Sequence, residues 1–265
     1  MTIRPSITRL LVPLVALILI VGHSVWPVRA IEVARKVGVV SFGLFGDQGV
    51  FKAEATGAAQ VVSGRFETAA IDVRYNSKKS GSATSEGLAK SLLSVASHLD
   101  AENDVLFLIL TSHGSPDGLA IKAGRLTQTL TPSRLADMLA KTGVRHKVVV
   151  ILACYSGVFI PRLANPDVLV ITAADANHPS FGCQDKAKWT YFGDAFFNVA
   201  LRRAASLNDA FLDAGSLRAV EPPHGRRCKR AAVACRTTLN AEFIVRGING
   251  TSQSTASCCV RHLRE

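Results

Sequence analysis

Apolar positions along the chain fall into a few continuous blocks separated by polar, Gly- and Ser-rich stretches. Residues 37–42, 105–111, 147–153 and 168–173 are apolar almost without alternation. That is the pattern of strands buried on both faces of a parallel sheet. A further strand is expected over 69–74. Between these blocks the period changes to that of a helix. In 50–64, Phe51, Ala55, Ala58, Ala59 and Val62 share one side, and 85–99 gathers Leu88, Leu92, Leu93 and Val95 on one face. Residues 131–142 read as a helix capped by Thr131, with Pro132 in its first turn and Leu135, Met138 and Leu139 inward. A last helix is expected over 191–207. Strand, helix, strand in this rhythm predicts an α/β fold, a doubly wound and mostly parallel sheet with right-handed crossovers. The polar run Lys78-Lys79-Ser80-Gly81-Ser82 is expected to be an exposed, cleavable loop.

Composition narrows the class. The 265 residues are 48% apolar and 19% charged, which excludes bulk disorder and suits one good-sized domain with appendages. The net charge of +11 would suggest a nucleic-acid partner if it were spread over the fold. It is not: residues 1–30 carry +3 and residues 221–265 carry +5, so only +3 remains for the body. No nucleic-acid partner is expected.

The two ends differ from the body. Arg4 and Arg9 precede an apolar run over 10–21, and Val28-Arg29-Ala30 resembles a signal-peptidase site. The run is shorter than the roughly 20 residues of a membrane span. Counting Val25 and Trp26, residues 7–28 could instead form an uncleaved anchor. Residues 1–30 are therefore read as a signal peptide or an N-terminal membrane anchor. Both readings place the domain, residues 31–220, outside the cytoplasm, periplasmic or anchored at the inner membrane facing outward. Residues 221–265 form a basic tail holding Cys228, Cys235, Cys258 and Cys259, where bridges could form in an exported chain.

Chemistry concentrates at two strand ends. In an open α/β sheet, ligands bind beyond the carboxyl ends of the strands. Ser112-His113-Gly114 follows one buried block and Cys154-Tyr155-Ser156-Gly157 follows the next. The 41 residues between His113 and Cys154 are enough for one crossover, which would bring both to the same edge. A thiol needs a base beside it to act as a nucleophile, and His is the usual one. A glycine after the His leaves its amide free to meet a substrate oxygen, and Gly157 would allow a sharp turn after the Cys. Taken singly, a Cys at a strand end is ordinarily an inert core residue and a loop His a surface one. The coincidence of both, each beside a glycine, points to nucleophilic catalysis. Cys183 reads as packed or paired with a tail cysteine, His178 as a surface residue, and Asp117 as part of a Ser-Pro-Asp-Gly turn.

An ordered set of motifs runs from about residue 37 to 205. Thr111-Ser112-His113-Gly114 and Ala153-Cys154-Tyr155-Ser156-Gly157 are followed by Ile171-Thr172-Ala173-Ala174, Ser180-Phe181-Gly182-Cys183 and Thr190-Tyr191-Phe192-Gly193-Asp194. Together they resemble the legumain-type, asparaginyl endopeptidase-like family of cysteine peptidases, in particular its bacterial exported or membrane-associated branch. The resemblance implies a caspase-like three-layer fold, a mostly parallel central sheet flanked by helices. It also implies a Cys–His dyad without metal or cofactor, peptide or protein substrates, and cleavage through a thioester. Carried over, the catalytic residues are Cys154 and His113, the oxyanion donors are the backbone amides of Gly114 and Cys154, and Ser180 and Asp194 match pocket positions. Cleavage after Asn is weaker: Leu152 stands where the family has an acidic residue, and Val50-Phe51-Lys52 lacks the family's Arg-His pair. Two other readings stay open, a transpeptidase acting on envelope proteins and a non-catalytic binding module on the same fold.

Overall fold

The structure, a computed structural model, describes residues 35–180 and 183–217. The expected export segment, the anchor over 7–28 and the basic tail lie outside them. Among the described residues no helix is long and apolar enough to cross a membrane.

Five strands form one parallel sheet. They are β1 (Val37–Gly43), β2 (Thr68–Tyr75), β3 (Val105–Thr111), β7 (His146–Leu152) and β8 (Val168–Thr172), in the order β2-β1-β3-β7-β8. Every residue of β1, β3 and β8 is buried, so the continuous apolar blocks resolve into two faces by the period of two. In β3, Val105, Phe107 and Ile109 belong to one core and Leu106, Leu108 and Leu110 to the other. The first core is closed by α1 (Gly49–Arg65) and by the helices after β8. The second is closed by α2 (Ser85–Ala96) and α3 (Pro132–Ala140). The result is the three-layer α/β arrangement expected, a mostly parallel sheet flanked by helices.

The helix caps follow the local sequence. Thr131 accepts from the Arg134 N–H at 3.3 Å and Thr84 from the Gly87 N–H at 3.0 Å, each satisfying an orphan donor of the first turn. Phe51, Ala55, Ala58, Ala59 and Val62 are all buried, as their spacing predicts. Leu93 is a correction, because it is 49% exposed while Leu88, Leu92 and Val95 are buried. Positions i, i+4 and i+7 share a face, whereas i+5 points about 140° away from the first.

Two elements differ from the expected pattern. Between β3 and α3 the chain forms a small antiparallel sheet of β4 (Gly114–Ser115), β5 (Gly118–Ala123) and β6 (Leu126–Leu130). Its strands are short and half-polar, so they leave no continuous apolar block. After β7 comes the one-turn helix α4 (Ile160–Leu163), and the helix expected over 191–207 ends sooner. It runs as α5 (Tyr191–Gly193), a π-helical stretch Asp194–Ala200 and α6 (Leu201–Arg203). Ala204 is extended, and α7 (Leu207–Leu217) starts anew. The π turns place Ala195, Phe196, Phe197 and Ala200 together against the core. The loop at Lys78, Lys79 and Ser80 is exposed, but Ser77 Oγ donates to the Ser80 carbonyl at 2.7 Å and draws it into a tight turn.

Candidate active site

Register brings the two reactive strand ends together. β3 and β7 are adjacent and parallel, with Thr111 opposite Leu152. The Ser112 N–H donates to the Leu152 carbonyl at 3.2 Å, extending the pairing one residue further. His113 and Cys154 each stand two residues past the last paired positions, at the same edge of the sheet. The backbone approach is tight: a Cβ on Gly114 would lie 2.0 Å from the Cys154 carbonyl oxygen, so no other residue fits there without moving the backbone of Cys154. The other side of the histidine loop is held by the small sheet, where the Ala120 N–H donates to the His113 carbonyl at 3.0 Å and Ser112 Oγ donates to the Ala120 carbonyl.

The His113 ring is enclosed by two aromatics. Phe45, just past β1, meets it edge-on with centroids 4.6 Å apart, and Phe51, in the first turns of α1, meets it at 5.0 Å. Burial by these rings lowers the imidazole's pKa from its ordinary value and favours the neutral form, which can accept a proton. Neither phenylalanine carries a catalytic signal in the linear pattern: Phe51 reads as core, and Phe45 stands between glycines just past the first apolar block.

Cys154 is half-buried, and its thiol donates to the Ser180 carbonyl at 3.3 Å. Its own N–H takes no partner among the described residues. Tyr155, the next residue, has φ of 55° and is the one non-glycine residue described in the left-handed region. Such a conformation in a bulky residue costs on the order of 1–3 kcal/mol and requires surrounding support. That support is visible: the Tyr155 N–H donates to the His178 carbonyl at 3.1 Å, and Ser156 Oγ accepts from the Ala174 N–H at 3.1 Å. The sharp turn expected at Gly157 is thus made at Tyr155. Gly157 serves a close approach instead, since a Cβ there would lie 2.5 Å from the backbone at Asp175 and Ala176.

The remaining candidates separate. Ser180 is half-buried and reaches Cys154 through its carbonyl. Asp194 is exposed on its helix and accepts from Asn198 Nδ2 at 2.9 Å. Leu152 is buried in the first core, so no charge enters from that position. Val50 and Phe51 are buried as well, and Lys52 Nζ lies 4.4 Å above the Tyr75 ring. Cys183 is a free thiol whose pKa is pushed up to about 11, by burial first and then by Cys154 and Glu54. His178 is exposed and bonded to Asp175 at 2.6 Å, and Asp117 is exposed in its turn. Among the described residues no group of three or more His, Cys, Asp or Glu could hold a metal ion.

Glu54 on α1 is a site residue that the linear pattern hides. It is fully buried, bonded to Thr111 and Thr190, and its pKa is raised to about 7 by burial, with Asp194 adding to the rise. Its helical position among inward-facing alanines is the only trace it leaves in the sequence.

The sequence profile of the peptidase C13 family matches residues 83–214, a span that includes both strand ends and the helix carrying Asp194. The chain belongs to the peptidase C13 family, the legumain type. A C13 member is a cysteine peptidase, and the fold agrees. Caspase-1 from Spodoptera frugiperda is similar over 77% of this chain and 87% of its own, with a TM-score of 0.54 and 14% identity. No curated protein sequence matches the chain.

Proposed function

We propose that this C13 peptidase cleaves peptide bonds through Cys154 as nucleophile and His113 as base. The observation that carries the reading is the in-register pairing of β3 with β7, which sets His113 and Cys154 equally far beyond Thr111 and Leu152. His113, kept neutral by Phe45 and Phe51, takes the thiol proton as Sγ attacks the substrate carbonyl. The N–H groups of Gly114 and Cys154 receive the developing oxyanion. His113 then passes the proton to the leaving amine, and water, activated by the same imidazole, releases the acyl group from the thioester. Ser180 and Asp194 are assigned to the pocket, with Asn as the favoured residue before the cut; an aspartate at a pocket wall can accept from a carboxamide. The export or anchor segment over 1–30 belongs to the same proposal and places the domain outside the cytoplasm.

The test is cleavage of a mixed peptide library by the purified full chain beside Cys154→Ala and His113→Ala. Both variants are expected to lose on the order of 10³-fold or more in kcat/KM. Cut sites should cluster after Asn. Activity surviving in either variant sinks the dyad, and cut sites indifferent to Asn sink the pocket assignment.

A further inference from the structure

We propose that Glu54 is a positioning residue of this peptidase: its buried carboxylate ties the strand end bearing His113 to the helix start bearing Asp194. This rests on the reading of His113 as the base. The geometry is a three-way junction. From α1, Glu54 Oε2 accepts the Thr111 hydroxyl, at the last residue of β3 and two before His113. Oε1 accepts both the Thr190 N–H at 2.9 Å and the Thr190 hydroxyl at 2.7 Å. Thr190 is also the N-cap of α5, accepting from the Gly193 N–H at 3.2 Å. Gly193 makes room for the carboxylate, since a Cβ there would stand 1.9 Å from Oε1. On the same helix, Phe51 packs against the imidazole itself. A single side chain therefore sets the spacing of α1, β3 and α5, and it has no relative exposure to solvent.

A structural role alone would be served by an apolar residue of similar volume, because burying a carboxylate without a cation is costly. Among the described residues, none of the groups that shift Glu54 is a cation. β3 contributes the Thr111 hydroxyl, and Ser41 on β1 is committed to the Ala55 carbonyl at 2.7 Å. Asp194, from the helix, opposes a second negative charge at Glu54, and Glu54 in turn helps push up the pKa of Cys183, from the loop before that helix. The carboxylate is held by hydrogen-bond donors only, and burial raises its pKa to about 7, so it changes charge where a neutral histidine base operates. Ionised, it accepts from all three donors. Protonated, one oxygen must donate, most directly to Thr111 Oγ, and the tie to the His113 strand is reversed.

Glu54→Gln keeps the shape and removes the ionisation. The experiment measures kcat and KM for a cleaved peptide from about pH 5 to about pH 9, with the full chain as wild type and as Glu54→Gln. The expected result is a fall in kcat of about ten- to a hundredfold with KM within about threefold. The ionisation of about 7 should also leave the kcat profile. Kinetics and a profile that superimpose on wild type overturn the proposal. If Glu54→Gln does not fold, Thr111→Val and Thr111→Ser decide it. Val removes the hydroxyl at nearly constant volume and should lower kcat, and Ser should recover most of the loss; equal kcat in the two overturns the proposal. The two readings fail separately: full cleavage by His113→Ala sinks the dyad, and wild-type kinetics from Glu54→Gln sink the positioning role.

Discussion

At the scale of single residues, the candidate site centres on a histidine made less basic by its neighbours. Two aromatic edges at 4.6 and 5.0 Å exclude water from His113, and burial is the cause of its lowered pKa. Phe45 is the more informative one to remove, because it is half-buried whereas Phe51 is fully buried in the fold. Phe45→Ala should hydrate the imidazole and raise its pKa toward the model-peptide value of about 6.5. If neutral His113 is the base, the acid limb of the kcat/KM profile then moves to higher pH. A limb that stays in place would mean that another group sets it. Tyr155, Gly114 and Gly157 act at the same scale but through the backbone. They let three segments meet at Cys154 more closely than ordinary residues would allow.

At the scale of elements, the sheet makes the site and the helices hold the sheet. β3 lies at its centre, with β1 and β7 on either side, and its residues alternate between the two cores. Leu108→Ala should therefore cost about 2–5 kcal/mol, since it opens a cavity under α2 and α3. Leu93→Ser, on the outer face of α2, should change stability by less than about 0.5 kcal/mol. Denaturant titration of both variants checks the pair, and a similar loss in each would place Leu93 inside the packing after all. The small sheet β4-β5-β6 is the element with most influence on the site for its size. It starts at Gly114, directly after His113, and Ala120 holds the histidine's carbonyl. Without this support the histidine loop would lose both of its bonds to Ala120 and keep the Ser112–Leu152 bond and its aromatic packing.

At the scale of the whole molecule, one buried carboxylate couples folding to pH. The pKa of Glu54 is raised from 4.5 to about 7, so the folded state binds a proton that the unfolded state has released. Its contribution to stability is complete below about pH 4.5 and is lost as pH rises through about 7, by about 3 kcal/mol in all. Burial of His113 acts in the opposite direction: its folded pKa is lowered, so stability is lost as pH falls below the unfolded value of about 6.5. Unfolding free energies of Glu54→Gln across this range should therefore lack the decline toward alkaline pH that the wild type shows. A decline of equal size in both proteins would mean that Glu54 does not titrate as its burial implies.

Much of this protein is legible along the chain because its signals are local. A block such as 105–111 has no polar face to present, so it can only be a strand covered on both sides. Thr131 with Pro132, and the Phe51–Val62 stripe, are written within a few residues of each other and fold as they read. His113 and Cys154 stand out because strand ends and glycines mark them, and the order of the motifs along the chain resembles that of the legumain type. Tertiary structure alone decided the rest. That β3 lies beside β7 in register with Thr111 opposite Leu152, that Phe45 encloses His113, and that Glu54 joins Thr111 to Thr190 are relations between residues far apart in sequence. Hydrophobic period records which face of an element is covered. It does not record what covers it, and both the protonation of His113 and the setting of Glu54 depend on the covering groups.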